Sequence, residues 1–270
     1  MKEVEIKSWE DLKSVEILHS CRVFRGQSCA SWPIESSLTR RIKGTDFEEM
    51  PENAEFWNYR EFRRRAPSYI NRSPSDDDLI GWLSLMQHHG ARTRLIDFTH
   101  SFYIALYFAL KSAKCEPSAV WAINMHRVRD IATTNLIRDP SGTRDQIDDR
   151  VYHATNKFLG SRLSSARASE RSDRALGISY GEPFTLHKRL SAQQGLFLIP
   201  LDLRRSFTDN FEAQDTEYAR KNNDIVKYVF APEFKHVGLC QLKAMNIHEE
   251  TLFPDLDGMS RSILDKRLCH

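Results

Sequence analysis

Two periodicities organise the chain. Phe56, Tyr59, Phe62, Ala66 and Tyr69 recur at steps of three and four residues, which predicts an amphipathic helix with its arginines outside. Leu79, Trp82, Leu83 and Met86 form a second stripe of helical spacing. Ser75 stands before it as a candidate N-cap. Asp76, Asp77 and Asp78 fill the expected first turn, where the helix dipole favours anions. Gly90 suits the left-handed residue beyond the last turn. Residues 102–111 are apolar nearly all round and predict a buried helix, with Thr99 or Ser101 as its cap. Further helices are expected over 148–159, 233–246 and 258–267. Shorter runs at 21–26, 93–98, 119–125, 195–200 and 225–230 predict strands. Residues 160–181, rich in Ser, Arg and Gly, read as a mobile basic loop. Strands and helices do not follow a regular βαβ alternation. The expected fold class is therefore α+β, with helices flanking a mixed or largely antiparallel sheet.

No repeat and no Pro/Gly linker divides the 270 residues, so one domain over 1–270 is expected. The formal net charge of +2 gives no global signature for nucleic acid or membrane. Local patches differ: Arg60, Arg63, Arg64, Arg65 and Arg72 form one basic cluster, and Lys157, Arg162, Arg167, Arg171 and Arg174 a second. Each reads as a solvated face or as a nucleic-acid contact. The five cysteines form no C-x-x-C pair, which argues against a zinc site or a disulfide framework and fits a reducing cytosol. The opening MKEVEIKSWE has no apolar signal core, and the longest apolar run is far short of the ~20 residues that span a bilayer. A cytoplasmic protein, neither metal-bound nor membrane-bound, is expected.

Several blocks in order carry a family resemblance. They are Val23-Phe24-Arg25-Gly26-Gln27; the segment from Trp32 to Arg40; Gln87-His88-His89-Gly90; Thr93-Arg94-Leu95-Ile96-Asp97-Phe98-Thr99; and Ala105-Leu106-Tyr107-Phe108-Ala109. Together they resemble the FRG-domain family, with a signature core over 22–110. Two later blocks within 182–258, RLSAQQGLF and LFPDLDG, resemble that family's closing segments. Arg92 departs from the family pattern, which usually has proline before Thr-Arg.

The block order is also similar, more distantly, to that of ADP-ribosyltransferases of the Arg–Ser–Glu type. That resemblance implies NAD as cofactor, an ADP-ribosyltransferase-like core and transfer to an unknown macromolecular acceptor. A toxin or antiviral-defence role would follow from such families. It would place Arg25 as the early-strand arginine, Thr99 and Ser101 as the hydroxyl element, and Gln193 or Gln194 where the late glutamate stands. Arg25, Gly26, Gln27, His88, His89, Arg94 and Thr99 would then contact the nucleotide.

Cleaving the nicotinamide–ribose bond passes through a cationic sugar. The site must hold the phosphates and offer acceptors to that cation. A guanidinium suits phosphate because its planar fork donates two parallel hydrogen bonds. Glutamine cannot act as a base. Either catalysis is weak, or Asp97 or Glu182 supplies the carboxylate, or the fold binds a nucleotide without reacting. Bland roles stand beside these. Arg25 with Asp97, and Arg94, read equally as ion pairs that fix strands. Thr99 and Ser101 read as helix caps, and Gln194-Gly195 as a tight turn. A non-catalytic module that binds a nucleotide, nucleic acid or protein is the alternative.

Overall fold

Seven strands form one open mixed sheet, and helices cover both of its faces. A computed structural model describes residues 1–14, 21–114, 116–137, 139–164, 175–183, 188–213 and 223–268. The strands are β1 (Lys2–Ile6), β2 (Arg22–Gln27), β3 (Ile96–Thr99), β4 (Ser118–Asn124), β5 (Ile178–Gly181), β6 (Gly195–Pro200) and β7 (Ile225–Phe230). Their spatial order is β1-β7-β4-β2-β3-β6-β5. Only β1 and β7 pair in parallel; the other neighbours are antiparallel. The expected α+β class with a mixed sheet is the class observed.

The helices follow the sequence pattern where that pattern is periodic. They are α1 (Trp9–Ser14), α2 (Ser37–Ile42), α3 (Pro51–Arg65), α4 (Leu79–His88), α5 (Phe102–Lys111), α6 (Met125–Leu136), α7 (Arg144–Leu163), α8 (Lys188–Ala192), α9 (Phe207–Glu212), α10 (Phe234–Ala244), α11 (Glu249–Leu252) and α12 (Leu256–Leu268). Helix α5 lies under β2, β4 and β7, where Phe102, Ala105, Leu106 and Ala109 meet Phe24, Val120 and Tyr228. On the opposite face α6 and α9 cover Val23, Phe98, Ile123 and Leu198. A third cluster joins α3, α4 and α7 to Phe197 and Ile199 of β6.

Several expectations need correction. The cap of α4 is Asp78, whose Oδ1 accepts from Gly81 N at 2.9 Å. Ser75 instead offers its carbonyl to Trp82 Nε1 at 3.0 Å, and Asp76 pairs with Arg63. Strand β3 begins three residues later than expected. Thr93 turns aside because its N–H bonds Ser37 Oγ at 3.2 Å and its hydroxyl bonds Gln87 Oε1. The basic loop expected over 160–181 was drawn too wide: α7 runs on through Leu163, and Ile178–Gly181 is a strand buried against α6, α7 and β6. Residues 165–174 lie outside those described. Strand β1 and helices α1, α2, α6 and α9 carry too short or too broken an apolar pattern to stand out; in β1 only Ile6 is fully buried.

Candidate functional site

The family-like blocks meet where the sheet splits. Strand β2 pairs with β4 along all six of its residues but with β3 at one position, Phe24 opposite Thr99. Beyond it the two strands diverge, and a cleft of about 740 Å³ opens in the gap, within the size range of small-ligand sites.

The motif Phe24-Arg25-Gly26 divides three tasks. Phe24 is buried and meets the Phe102 ring edge-on at 5.5 Å. Gly26 lies hard against α5. A Cβ there would fall 1.9 Å from the Ala105 carbonyl oxygen and 2.6 Å from the Ala109 nitrogen. Arg25 spans the split: its Nη1 donates to the Asp97 carbonyl at 2.7 Å and lies 3.9 Å from Asp97 Oδ2. The Arg25 side chain is 17% exposed and that of Asp97 63%, so the expected buried ion pair is a loose one at a rim. The Nε of Arg25 is buried and finds no hydrogen-bond partner among the described residues. Burial pulls the Arg25 guanidinium below its ordinary pKa; Asp97 opposes that pull and Arg40 adds to it.

Five cations line the cleft: Arg25, Arg40, Lys43, Arg92 and Arg189. They face two carboxylates, Glu35 and Asp97, and Glu35 is taken up by Lys43 at 2.7 Å. The excess positive charge suits an anionic ligand. Asp97 is oriented by Gln87, whose Nε2 donates to its Oδ1 at 2.7 Å. His88 faces the cleft at the end of α4. Burial, then the charges of His89 and Arg189, pull its pKa down against Asp255, which favours the neutral imidazole.

Of the residues singled out from sequence, Arg25, Gly26, Gln27, His88, Asp97, Thr99 and Gln193 line the cleft. Several of them also brace it. Gln27 spends its carboxamide on Trp121 Nε1 and the Pro33 carbonyl. Thr99 donates to the Gln193 carbonyl at 2.8 Å and accepts from Ser101 N at 3.0 Å. Gln193 Nε2 donates to the Leu252 carbonyl at 3.0 Å.

Five others are placed elsewhere. Ser101 caps α5 by accepting from Ile104 N. Gln194 makes the turn before β6 with a φ of 48°, and its carbonyl receives His100 N–H. His89 borders a separate groove beside Phe62 and Tyr69. Arg94 is wholly buried and paired with Glu55, so it is a strut inside the fold. Glu182 pairs with His100 at 2.9 Å and is not part of the cleft lining.

Trp32, Arg40, Gln87, Arg92 and Arg189 are cleft residues to which sequence reasoning assigned no role. Four of them stand inside the family-like blocks, but no periodicity marks a cleft position. Trp32 alone carried a local signal, a large ring in a short segment of Ser, Cys and Pro.

The basic patches are partly spent. Arg64 and Arg65 pair with Glu61, Arg63 with Asp76, and Arg60 lies over the Trp57 ring. In the second patch Arg167, Arg171 and Arg174 lie outside the described residues. Among the described residues no group of three or more His, Cys, Asp or Glu is placed to hold a metal ion, and no helix is long and apolar enough to cross a membrane.

The C-terminal segment packs on cleft residues Phe108, Arg189 and Gln193 through Leu252 and Phe253. Phe253 is ringed by Arg189 at 4.4 Å, Lys111 at 4.9 Å and Arg261 at 5.4 Å. Glu249, 3% exposed, neutralises two of these, bonding Arg261 Nε at 2.7 Å and Lys111, and also accepts from Tyr107 OH at 2.7 Å. Burial raises the Glu249 pKa, but the hydrogen bonds from Lys111, Tyr107 and Arg261 together outweigh it and leave it below the ordinary value. A carboxyl lowered in the folded state contributes stability above its unfolded pKa, and that contribution is lost as pH falls through the folded one. The melting difference between wild type and Glu249→Gln should therefore be large at neutral pH and shrink below about pH 4. A difference that does not change with pH would deny the carboxylate this role.

An α+β fold with a cationic cleft at a split in its sheet is the class these features define. Residues 20–117 match the family model of the FRG domain, and the chain carries an FRG domain there. The match takes in β2, β3, α4 and α5, and thus most of the cleft wall, whereas Arg189, Gln193 and the closing segment lie beyond it. No curated protein and no solved structure matches the chain.

Proposed function

We propose that the cleft binds NAD or a closely related nucleotide and cleaves its nicotinamide–ribose bond. The observation that carries this is Arg25: a largely buried guanidinium lining a cationic cleft, with Nε lacking any partner among the described residues. A buried donor left unsatisfied costs about 1–3 kcal/mol, and the part of the Arg25 side chain that stays exposed can give a phosphate oxygen a charge-assisted bond. The surrounding arginines supply countercharge for a second phosphate.

The carboxylate in this scheme is Asp97. It borders the cleft, is held by Gln87 and leaves one oxygen toward the open space. Gln193 and Gln194 take no acid–base part, being neutral and committed to Leu252 and to the turn. When the C1′–N bond breaks, its electron pair leaves with nicotinamide. The ribosyl cation is captured by the oxygen of water or of an acceptor hydroxyl, and the proton released passes to Asp97 or to solvent. Asp97 stabilises the cation through its charge.

Arg25→Ala should weaken binding of ADP-ribose roughly 10- to 100-fold, as expected for one lost charge-assisted contact. Titration calorimetry reads that loss. Chromatography of the products reads nicotinamide release, which should fall with it. Arg25 also bridges β2 and β3, so the variant must keep the wild-type far-ultraviolet spectrum and melting point. A wild-type protein that neither binds ADP-ribose nor releases nicotinamide from NAD ends the proposal.

A second reading is a module that binds the nucleotide without cleaving it. It is favoured by the absence of a carboxylate at Gln193 and Gln194. Tight binding of ADP-ribose with no nicotinamide release, unchanged in Asp97→Asn, would select it.

A further inference from the structure

We infer that Trp32 is the stacking platform for the aromatic base of the ligand, so that the cleft selects base-bearing nucleotides over sugar phosphates. This rests on the nucleotide reading above and extends it to the part of the ligand that carries no charge.

Trp32 lines the cleft and is 51% exposed. A large ring left in water at the edge of a concave site forgoes burial that is worth about 25 cal/mol per Å² of apolar surface. Singly exposed apolar residues are common. What separates Trp32 from those is the effort the fold makes to hold it in place. Its loop is pinned on both sides. Before it, Ala30 N donates to the Pro117 carbonyl at 2.7 Å. At it, Trp32 N donates to the Cys29 carbonyl at 3.3 Å. After it, Gln27 Nε2 donates to the Pro33 carbonyl at 2.9 Å, and Gln27 is itself only 5% exposed and bonded to Trp121. Ser36 then caps α2 by accepting from Thr39 N at 3.0 Å.

A buried carboxamide committed to one backbone carbonyl of a surface loop fixes where that loop stands. The backbone that carries Trp32 is therefore held in place at the cleft, with the ring left half exposed. An exposed aromatic ring on a pinned loop, lining a cleft with Arg25, Arg40, Arg92 and Arg189, matches a molecule with a flat π-face at one end and phosphate at the other. Base-on-aromatic stacking adds affinity without specifying the base, because every base has such a face.

The test compares a base-bearing with a base-free probe on the full chain. Binding of ADP-ribose and of ribose 5-phosphate would be measured by calorimetry for wild type, Trp32→Ala and Trp32→Phe. Trp32→Ala should weaken ADP-ribose about 10-fold and leave ribose 5-phosphate within about 2-fold. Trp32→Phe should restore most of the loss, since it keeps a π-face. Melting points confirm that each variant is folded. ADP-ribose affinity unchanged in Trp32→Ala overturns the inference while leaving the phosphate site at Arg25 intact. Equal losses for both probes, or equal losses in the alanine and phenylalanine variants, also overturn it, because the ring would then only be supporting the loop. A wild type that binds neither probe ends both this inference and the nucleotide reading. In that last case Arg25→Ala would have no binding to lose, which tells that failure apart from the others.

Discussion

Glu55→Ala should destabilise the fold by about 3–5 kcal/mol, read as a shift in the denaturation midpoint. The reason is the environment of Arg94. Its side chain is fully buried, and Glu55 is 1% exposed. Arg94 Nε donates to both Glu55 oxygens, at 2.8 and 3.0 Å, and Nη2 bonds Oε2 as well. Nη1 takes the Pro200 and Leu201 carbonyls at 3.1 and 3.3 Å, where β6 ends, and the guanidinium lies 5.9 Å from the Phe158 ring of α7. One side chain thus ties α3, α7 and the end of β6 together. Removing Glu55 leaves the charge in place with its main counterion gone, and a stranded buried charge is among the most costly defects a fold can carry. Total stabilities of about 5–15 kcal/mol leave little margin for it. Replacing both partners with apolar residues, as in Arg94→Met with Glu55→Leu, should cost much less than the single change. A single variant as stable as wild type would mean that water reaches Arg94, contrary to its burial.

Gly26→Ala should cost about 3 kcal/mol, at the upper end for overpacking. The added Cβ would enter the backbone of α5 at Ala105 and Ala109, not the tip of a flexible side chain. Either α5 moves outward or β2 shifts away from β4, with which it is paired through Gln27. Both movements alter the cleft, since Gly26, Ala105 and Phe108 all line it. Loss of stability and of ADP-ribose binding should therefore appear together in this variant. Arg25→Ala should instead separate them, reducing binding with a smaller effect on the midpoint. A Gly26→Ala protein with the wild-type midpoint would show that the strand and helix can part at no cost, which the close approach denies.

Much of the molecule follows from local pattern. The apolar stripe of α4, the wholly apolar α5, and strands β6 and β7 could be read with little error. Each is a run whose periodicity and burial are set by its own residues. Motif blocks also drew attention to Arg25, Asp97 and Thr99, which the fold brings to one cleft. Elements without a private signal were missed. Strand β1 is mostly charged and exists because β7 offers it a free edge. Strand β5 lies in a stretch whose composition resembles a loop, yet all four of its residues are buried by neighbours distant in sequence.

Roles were harder to read than elements. Arg25 and Arg94 look alike in sequence, each an arginine beside apolar residues in a strand-like block. One is held by Glu55 and two carbonyls, and the other is left with a donor unmet among the described residues at the edge of a gap. That difference is set by the split between β2 and β3 and by the segments that converge on it, from Trp32 to Arg189. Amino-acid order determined the helices and strands whose periodicity is their own, because those preferences are local. Which charges are satisfied and which stand open to a ligand was decided only by the tertiary structure, because solvation and pairing depend on neighbours that the chain brings together from far apart.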